Sequence, residues 1–211
     1  MRTPNPIRFL KGVLAATVCG LSVTACADLA RTGTGPAYLV MESVTASAGG
    51  GTSFTSSLLS DVQVLVDVTV GGVTTQQATI FNDLGRASIR AEMKNTLNPT
   101  TPTAMHSITI NRYRVRFRRT DGRNTEGIDV PYGFDGATTV TIPIGASAQV
   151  GFDLVRHQAK KERPLITLVG GRGLLNLTTI AEVTFYGSDQ AGNEVSISGT
   201  IDVHFGDFSD E

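Results

Sequence analysis

Near the C-terminus, Val195, Ile197, Gly199, Ile201, Val203 and Phe205 alternate with Ser196, Ser198, Thr200, Asp202 and His204. Period two over eleven residues puts one set of side chains on each face of an extended strand, so this segment folds as a strand with one face buried and one wet. A second run precedes it, in which Ala181, Val183 and Phe185 share a face with Gly187. Between them lies Asp189-Gln190-Ala191-Gly192-Asn193, where Gly192 and Asn193 can take the positive φ of a tight connection. Residues 180–205 are therefore expected to form an antiparallel hairpin. Similar short runs recur at Tyr38 to Thr45, Val62 to Val70, Ala87 to Met93, Ile108 to Arg118, Thr138 to Ile142 and Ala148 to Val155, separated by Gly, Asn, Asp and Pro.

With the hairpin these make about eight strands over residues 37–211, which predicts an all-β fold, an antiparallel β-sandwich. Two smaller domains divided within Asn95 to Ser107 are the alternative; that stretch is only loop-sized, and the first half has no closing strand pair of its own, so one elaborated domain is preferred. The β pattern breaks at Arg156 to Gly173. Gln158 to Glu162 are good helix formers, Pro164 suits a first turn, and Gly170-Gly171-Arg172-Gly173 ends it. A short helical insertion near 156–170 is expected, with Leu165, Leu168 and Val169 packed inward. The basic residues Arg156, His157, Lys160, Lys161 and Arg163 read as a solvated face or, alternatively, a contact surface.

The run Val183 to Val195, with its D-x-A-G-N turn, resembles the closing hairpin of bacterial immunoglobulin-like domains. The resemblance implies an immunoglobulin-like sandwich and carries no binding residues with it, because such sandwiches serve adhesion, carbohydrate binding and spacing alike.

The first 26 residues carry a different signal. Arg2, Arg8 and Lys11 precede an apolar stretch, Gly12 to Val23, which leads into Val23-Thr24-Ala25-Cys26. The stretch is shorter than the roughly 20 residues of a permanent membrane span. The arrangement resembles a bacterial lipoprotein signal peptide over 1–25 with its lipobox; an ordinary secretory signal cleaved near Ala25 or Ala27, or an uncleaved anchor, is the alternative. The lipoprotein resemblance implies that Cys26 receives a diacylglyceryl thioether, with acylation (palmitate among the acids used) of the new amino terminus. Cys19 follows the branched Val18 and does not fit a cleavage position. Residues 26–36, the lipidated Cys26 followed by ADLARTGTGP, form a polar tether that reaches roughly 30 Å if extended. The implied location is the bacterial envelope, with the body held at a membrane by acyl chains and facing periplasm or exterior. Asp28 is either a sorting signal or a solvated linker charge.

Processing would leave Cys26 as the sole cysteine, so no disulfide, thiolate metal site or redox pair operates in the body and stability must come from burial. It would also lower Lys+Arg from 18 to 15 against 19 acidic residues, a net charge of −4. A mildly acidic body gives no electrostatic attraction for nucleic acid.

One strand stands out. Arg112, Arg114, Arg116 and Arg118 alternate with Tyr113, Val115 and Phe117, placing four guanidiniums on one face. They either pair with acidic residues on neighbouring strands or contact an anionic partner such as a phosphate-bearing glycan. Elsewhere His106, His157 and His204 stand apart, neither H-E-x-x-H nor G-x-S-x-G occurs, and the glycine clusters lack the lysine of a phosphate loop. No catalytic, metal or cofactor motif is present in the sequence. Asp189, Asp202 and Asp207 are a thin basis for calcium, which takes six to eight ligands. Two functional classes follow. The first is a non-enzymatic binding or structural module for an envelope protein or glycan. The second is an envelope hydrolase or carbohydrate-active protein whose acidic residues are distant in sequence. Assembly through an unpaired sheet edge is a third possibility.

Overall fold

A computed structural model describes residues 35–94 and 101–208. The proposed signal peptide, Cys26 and most of the tether lie outside the described residues. The fold is all-β, with ten strands among the described residues: β1 (Ala37–Ser47), β2 (Ser57–Asp61), β3 (Val64–Val70), β4 (Val73–Thr79), β5 (Asp83–Met93), β6 (Ile108–Arg118), β7 (Phe134–Ile142), β8 (Ser147–Val155), β9 (Asn176–Asp189) and β10 (Glu194–Gly206). The break in the pattern is a single helical turn, α1 (His157–Lys160), followed by a 3₁₀ turn over Leu165–Leu168. Leu165 and Leu168 are buried as expected, whereas Val169 is exposed.

Three strands form one sheet in the order β1-β5-β8, and five form another in the order β2-β10-β9-β6-β7. All neighbours are antiparallel except β2, which runs parallel to β10 and makes the larger sheet mixed. β3 and β4 form a separate two-stranded hairpin. β9 and β10 pair from Asn176 with Gly206 to Ser188 with Glu194, so the C-terminal hairpin is longer than the 180–205 read from alternation. Its turn uses Gly192 at φ 87°, while Asn193 keeps an ordinary backbone and donates its N–H and its amide to the Asp189 carboxylate.

The core lies between the sheets. Ala87, Ile89, Ala91, Val150, Phe152 and Leu154 face Tyr113, Val115, Phe117, Val183, Phe185, Ile201, Val203 and Phe205, all buried. Phe152 packs edge-on to Phe185 with ring centres 5.3 Å apart and against Tyr113 at 5.5 Å. The Tyr113 hydroxyl accepts the backbone N–H of Asp153 at 3.2 Å, satisfying the polar end of an otherwise buried ring.

β6 reaches these positions through a bulge. Ile108 and Ile110 point inward, and so do Tyr113, Val115 and Phe117, so the parity switches between residues 110 and 113. Against β9 the register shifts there with Asn111 as the extra residue; against β7 it shifts at the same place, with the extra residue on β7 between Ala137 and Val140. The bulge presses on β9: a Cβ added to Gly187 would sit 2.3 Å from the Thr109 carbonyl oxygen and 2.9 Å from Ile110 Cα. Only glycine fits beside backbone atoms that close.

Lys160 corrects the reading of the basic run as solvated. Its side chain is 1% exposed and its Nζ lies 2.8 Å from Oδ1 of Asp83, itself fully buried. The same oxygen accepts Gly49 N–H at 2.8 Å, and Oδ2 accepts the Ser60 hydroxyl at 2.6 Å. One carboxylate thus ties α1, the start of β5, the β2 edge strand and the loop after β1 together.

Candidate binding surface

The bulge decides which way the arginines face. Shifted by Asn111, Arg112, Arg114, Arg116 and Arg118 point away from the core on the outer face of the five-stranded sheet. Across them on β9 stand Tyr186, Thr184, Glu182 and Ile180, and beyond those on β10 stand Ser196, Ser198, Thr200 and Asp202. The outer face is therefore polar, with its cations gathered on one strand.

Two carboxylates share in this row. Asp135 of β7 lies 3.7 Å from both Arg112 and Arg114, and Glu182 lies 2.6 Å from Arg118. The Arg112 guanidinium also stacks over the Tyr186 ring, 4.2 Å from its centre. Arg116 has no ionic or hydrogen-bonded partner among the described residues. Four guanidiniums against Asp135 and Glu182, with Glu126 beside Arg116 and Arg118, still leave a local excess of positive charge on an otherwise acidic chain, and the side chains of Arg112 and Arg118 are more than half exposed. Solvated pairs of this kind exchange partners at little cost, since each is worth about 0.2–1 kcal/mol.

The row opens at its Arg112 end into a shallow groove of about 710 Å³. Tyr38 of β1, Lys94, Asn111, Arg112, Tyr186 and Glu194 line it, with Ser188 and Ser196 alongside. Tyr38 is 42% exposed. A smaller hollow of about 130 Å³ runs on from Tyr186 between Arg114, Arg116, Arg118, Glu182 and Thr184. The two share Tyr186, so groove and arginine row form one continuous surface. Two phenol rings, guanidinium, amide and hydroxyl groups make a lining that stacks on apolar ring faces and bonds hydroxyls or anionic oxygens. Among the described residues Glu194 is the only carboxylate on the groove wall.

The other residues singled out by sequence do not join this surface. Arg156 stacks on Phe134 and donates to the Asp135 carbonyl, His157 bonds Asn82, and Lys160 is core. His204 bonds Thr178 on β9. Asp189, Asp202 and Asp207 do not converge: Asp189 caps the β9–β10 turn, Asp202 lies on the wet face of β10, and Asp207 follows that strand at its far end. Thirteen residues of β10 separate the first from the last, about 40 Å at the strand rise. No group of three or more His, Cys, Asp or Glu able to hold a metal ion occurs among the described residues. No helix among the described residues is long and apolar enough to cross a membrane.

Tyr38 and Lys94 escaped the sequence reading. Both enter the site because β1, paired to β5 in the smaller sheet, packs against β10 of the larger one, which no local pattern announces. Comparisons with known proteins gave no match: no family model fits the chain, and no curated protein or solved structure is significantly similar to it.

Proposed function

We propose that this chain is a lipid-anchored, non-enzymatic protein of the bacterial envelope, with an immunoglobulin-like β-sandwich that binds an anionic glycan through the groove and arginine row. The observation that carries the binding reading is the continuity of an aromatic-lined groove with an arginine strand that has more cations than carboxylates. A glycoside hydrolase works with two facing carboxyl groups, and among the described residues the groove wall carries Glu194 alone. The sandwich reading is supported by two sheets packed on one core and by the D-x-A-G-N hairpin; the anchoring reading is supported by the lipobox ending at Cys26.

Each part has its own test. Cys26→Ser should release the protein from the membrane fraction and abolish incorporation of labelled fatty acid; retention with unchanged labelling refutes the anchor. Titration calorimetry of the full chain against phosphate-bearing and neutral envelope glycans should show binding that weakens with salt. Arg112→Ala and Tyr186→Ala should each lower it by about tenfold, in keeping with the loss of about 1.4 kcal/mol per decade. Equal affinity in both variants and wild type refutes the surface.

A further inference from the structure

The β3–β4 hairpin is built unlike the rest of the chain. Among the described residues it pairs with neither sheet, and every residue from Val73 to Ala78 is exposed. Gly71 and Gly72, at φ 61° and 82°, make its two-residue turn. Two strands alone are marginal in water. Natural edge strands of this length are blunted by charge, proline or a bulge, yet β4, Val-Thr-Thr-Gln-Gln-Ala-Thr, has none of these.

We infer that β4 is a pairing edge for a second copy of this chain. Counting from the turn, Val73, Thr75, Gln77 and Thr79 exchange hydrogen bonds with β3, which leaves the N–H and C=O groups of Thr74, Gln76 and Ala78 directed to the open side. A two-fold axis through Gln76 sets the two β4 strands antiparallel, with Gln76 opposite Gln76 and each Thr74 opposite an Ala78. Charge favours this edge over that of β3 and admits a second copy as its occupant. β4 is uncharged along its length, so a copy of itself meets no like charge. The hairpin's one charge, Asp67, stands on β3 opposite Gln76. Pairing through β4 keeps the two Asp67 carboxylates three strand spacings apart, roughly 14 Å and beyond the ~8 Å screening length. Pairing through β3 about the same level would set them face to face. The product is a four-stranded sheet, above the size at which strands hold together independently.

Two substitutions test this in the full chain. Gln76→Cys should give a disulfide-linked dimer under mild oxidation, because residues opposed across an antiparallel pair have Cα atoms about 5.5 Å apart, within disulfide reach. Asp67→Cys, at the same height but one strand inward, should give none above the wild-type background. Gln76→Lys gains a cross-strand partner in Asp67 within its own hairpin, yet sets two ammonium groups together in the dimer. Sedimentation should show its association constant lowered at least tenfold with the circular dichroism unchanged. Crosslinking by Asp67→Cys as efficient as by Gln76→Cys, no crosslink from either, or undiminished association of Gln76→Lys overturns the inference.

Discussion

Replacing Lys160 by Met tests how this fold carries a buried charge. Lys160 and Asp83 are 1% and 0% exposed and 2.8 Å apart. Methionine keeps the apolar stem but removes the ammonium, and the Asp83 carboxylate then retains only the Ser60 hydroxyl and Gly49 N–H as donors. Burial already pushes the Asp83 carboxyl above its ordinary value of 3.8, with Lys160, Ser60 and Gly49 pulling against it. Without Lys160 the cheapest folded form is the protonated acid, while the unfolded chain is ionised at neutral pH. Holding that proton at pH 7 costs about 1.36 kcal/mol for each of roughly three pH units, or about 4 kcal/mol. This agrees with the about 3–5 kcal/mol typical of a broken buried pair. The sign follows from a folded pKa that lies above the unfolded one. The proton-linked stability is complete below about 3.8 and is lost as pH rises toward the folded value. The deficit of Lys160→Met against wild type should therefore shrink to about 1.5 kcal/mol at pH 5. Urea titration followed by far-ultraviolet circular dichroism at the two pH values reads it. Adding Asp83→Asn should recover most of the loss at pH 7, since a neutral amide needs no counter-charge. A deficit below about 1 kcal/mol at pH 7, or one equal at pH 5 and 7, refutes the reasoning.

Other positions give sharper local outcomes. Gly187→Ala should destabilise by about 2–3 kcal/mol in the same assay, because its Cβ meets β6 backbone rather than a movable side chain. Asp189→Ala should cost about 2 kcal/mol by stranding the N–H groups of Ala191 and Asn193. Burial pushes that carboxyl up, but the donors of Asn193, Ala191 and Gly192 outweigh it and hold it below its ordinary value. Its contribution is thus present above about pH 3.8 and lost as pH falls through the folded value, so wild type and Asp189→Ala should converge in acid. Arg118→Ala should cost no more than about 1 kcal/mol, since its bond to Glu182 is solvated; a larger loss by urea titration would show the pair to be structural.

The sequence carried most of the strand set and little of the site. Ile108 to Arg118 and the C-terminal hairpin were legible because one face of each is core and the other is wet. β4 was not, because Val-Thr-Thr-Gln-Gln-Ala-Thr buries neither face and so has no apolar alternation to read. β2 was missed because five residues bounded by serine and aspartate give too short a pattern. The bulge at Asn111 was written in the parity switch from Ile110 to Tyr113, although a count of arginines alone passes over it. Lys160 was misread because its partner is 77 residues away, and a charge run says nothing of a carboxylate that distant. Tyr38 and Tyr186 come to line one groove for the same reason: β1 packs against β10 of the larger sheet, a consequence of packing rather than of any neighbour in sequence.

The two surfaces lie at opposite ends of the strands, and that separation constrains how they can work together. Ala37, where β1 begins, lines the groove beside the β9–β10 turn, so the chain enters the fold at the groove end. The hairpin leaves from the other end, where Val62 donates its N–H to Gly206 at the close of β10, about 40 Å away. On the lipid-anchored reading, a tether of residues 27–36 keeps the groove within roughly 30 Å of the bilayer, while the β3–β4 hairpin is rooted at the far end of the strands. A glycan in the groove and a second copy at the hairpin then contact no common residue. With no shared contact the two ligands do not compete directly, and any bias of one by the other would have to pass through a change of conformation across the body. The Gln76→Cys crosslink should accordingly form to the same extent with the groove empty or saturated, and a glycan that suppresses it would refute the independence of the two surfaces.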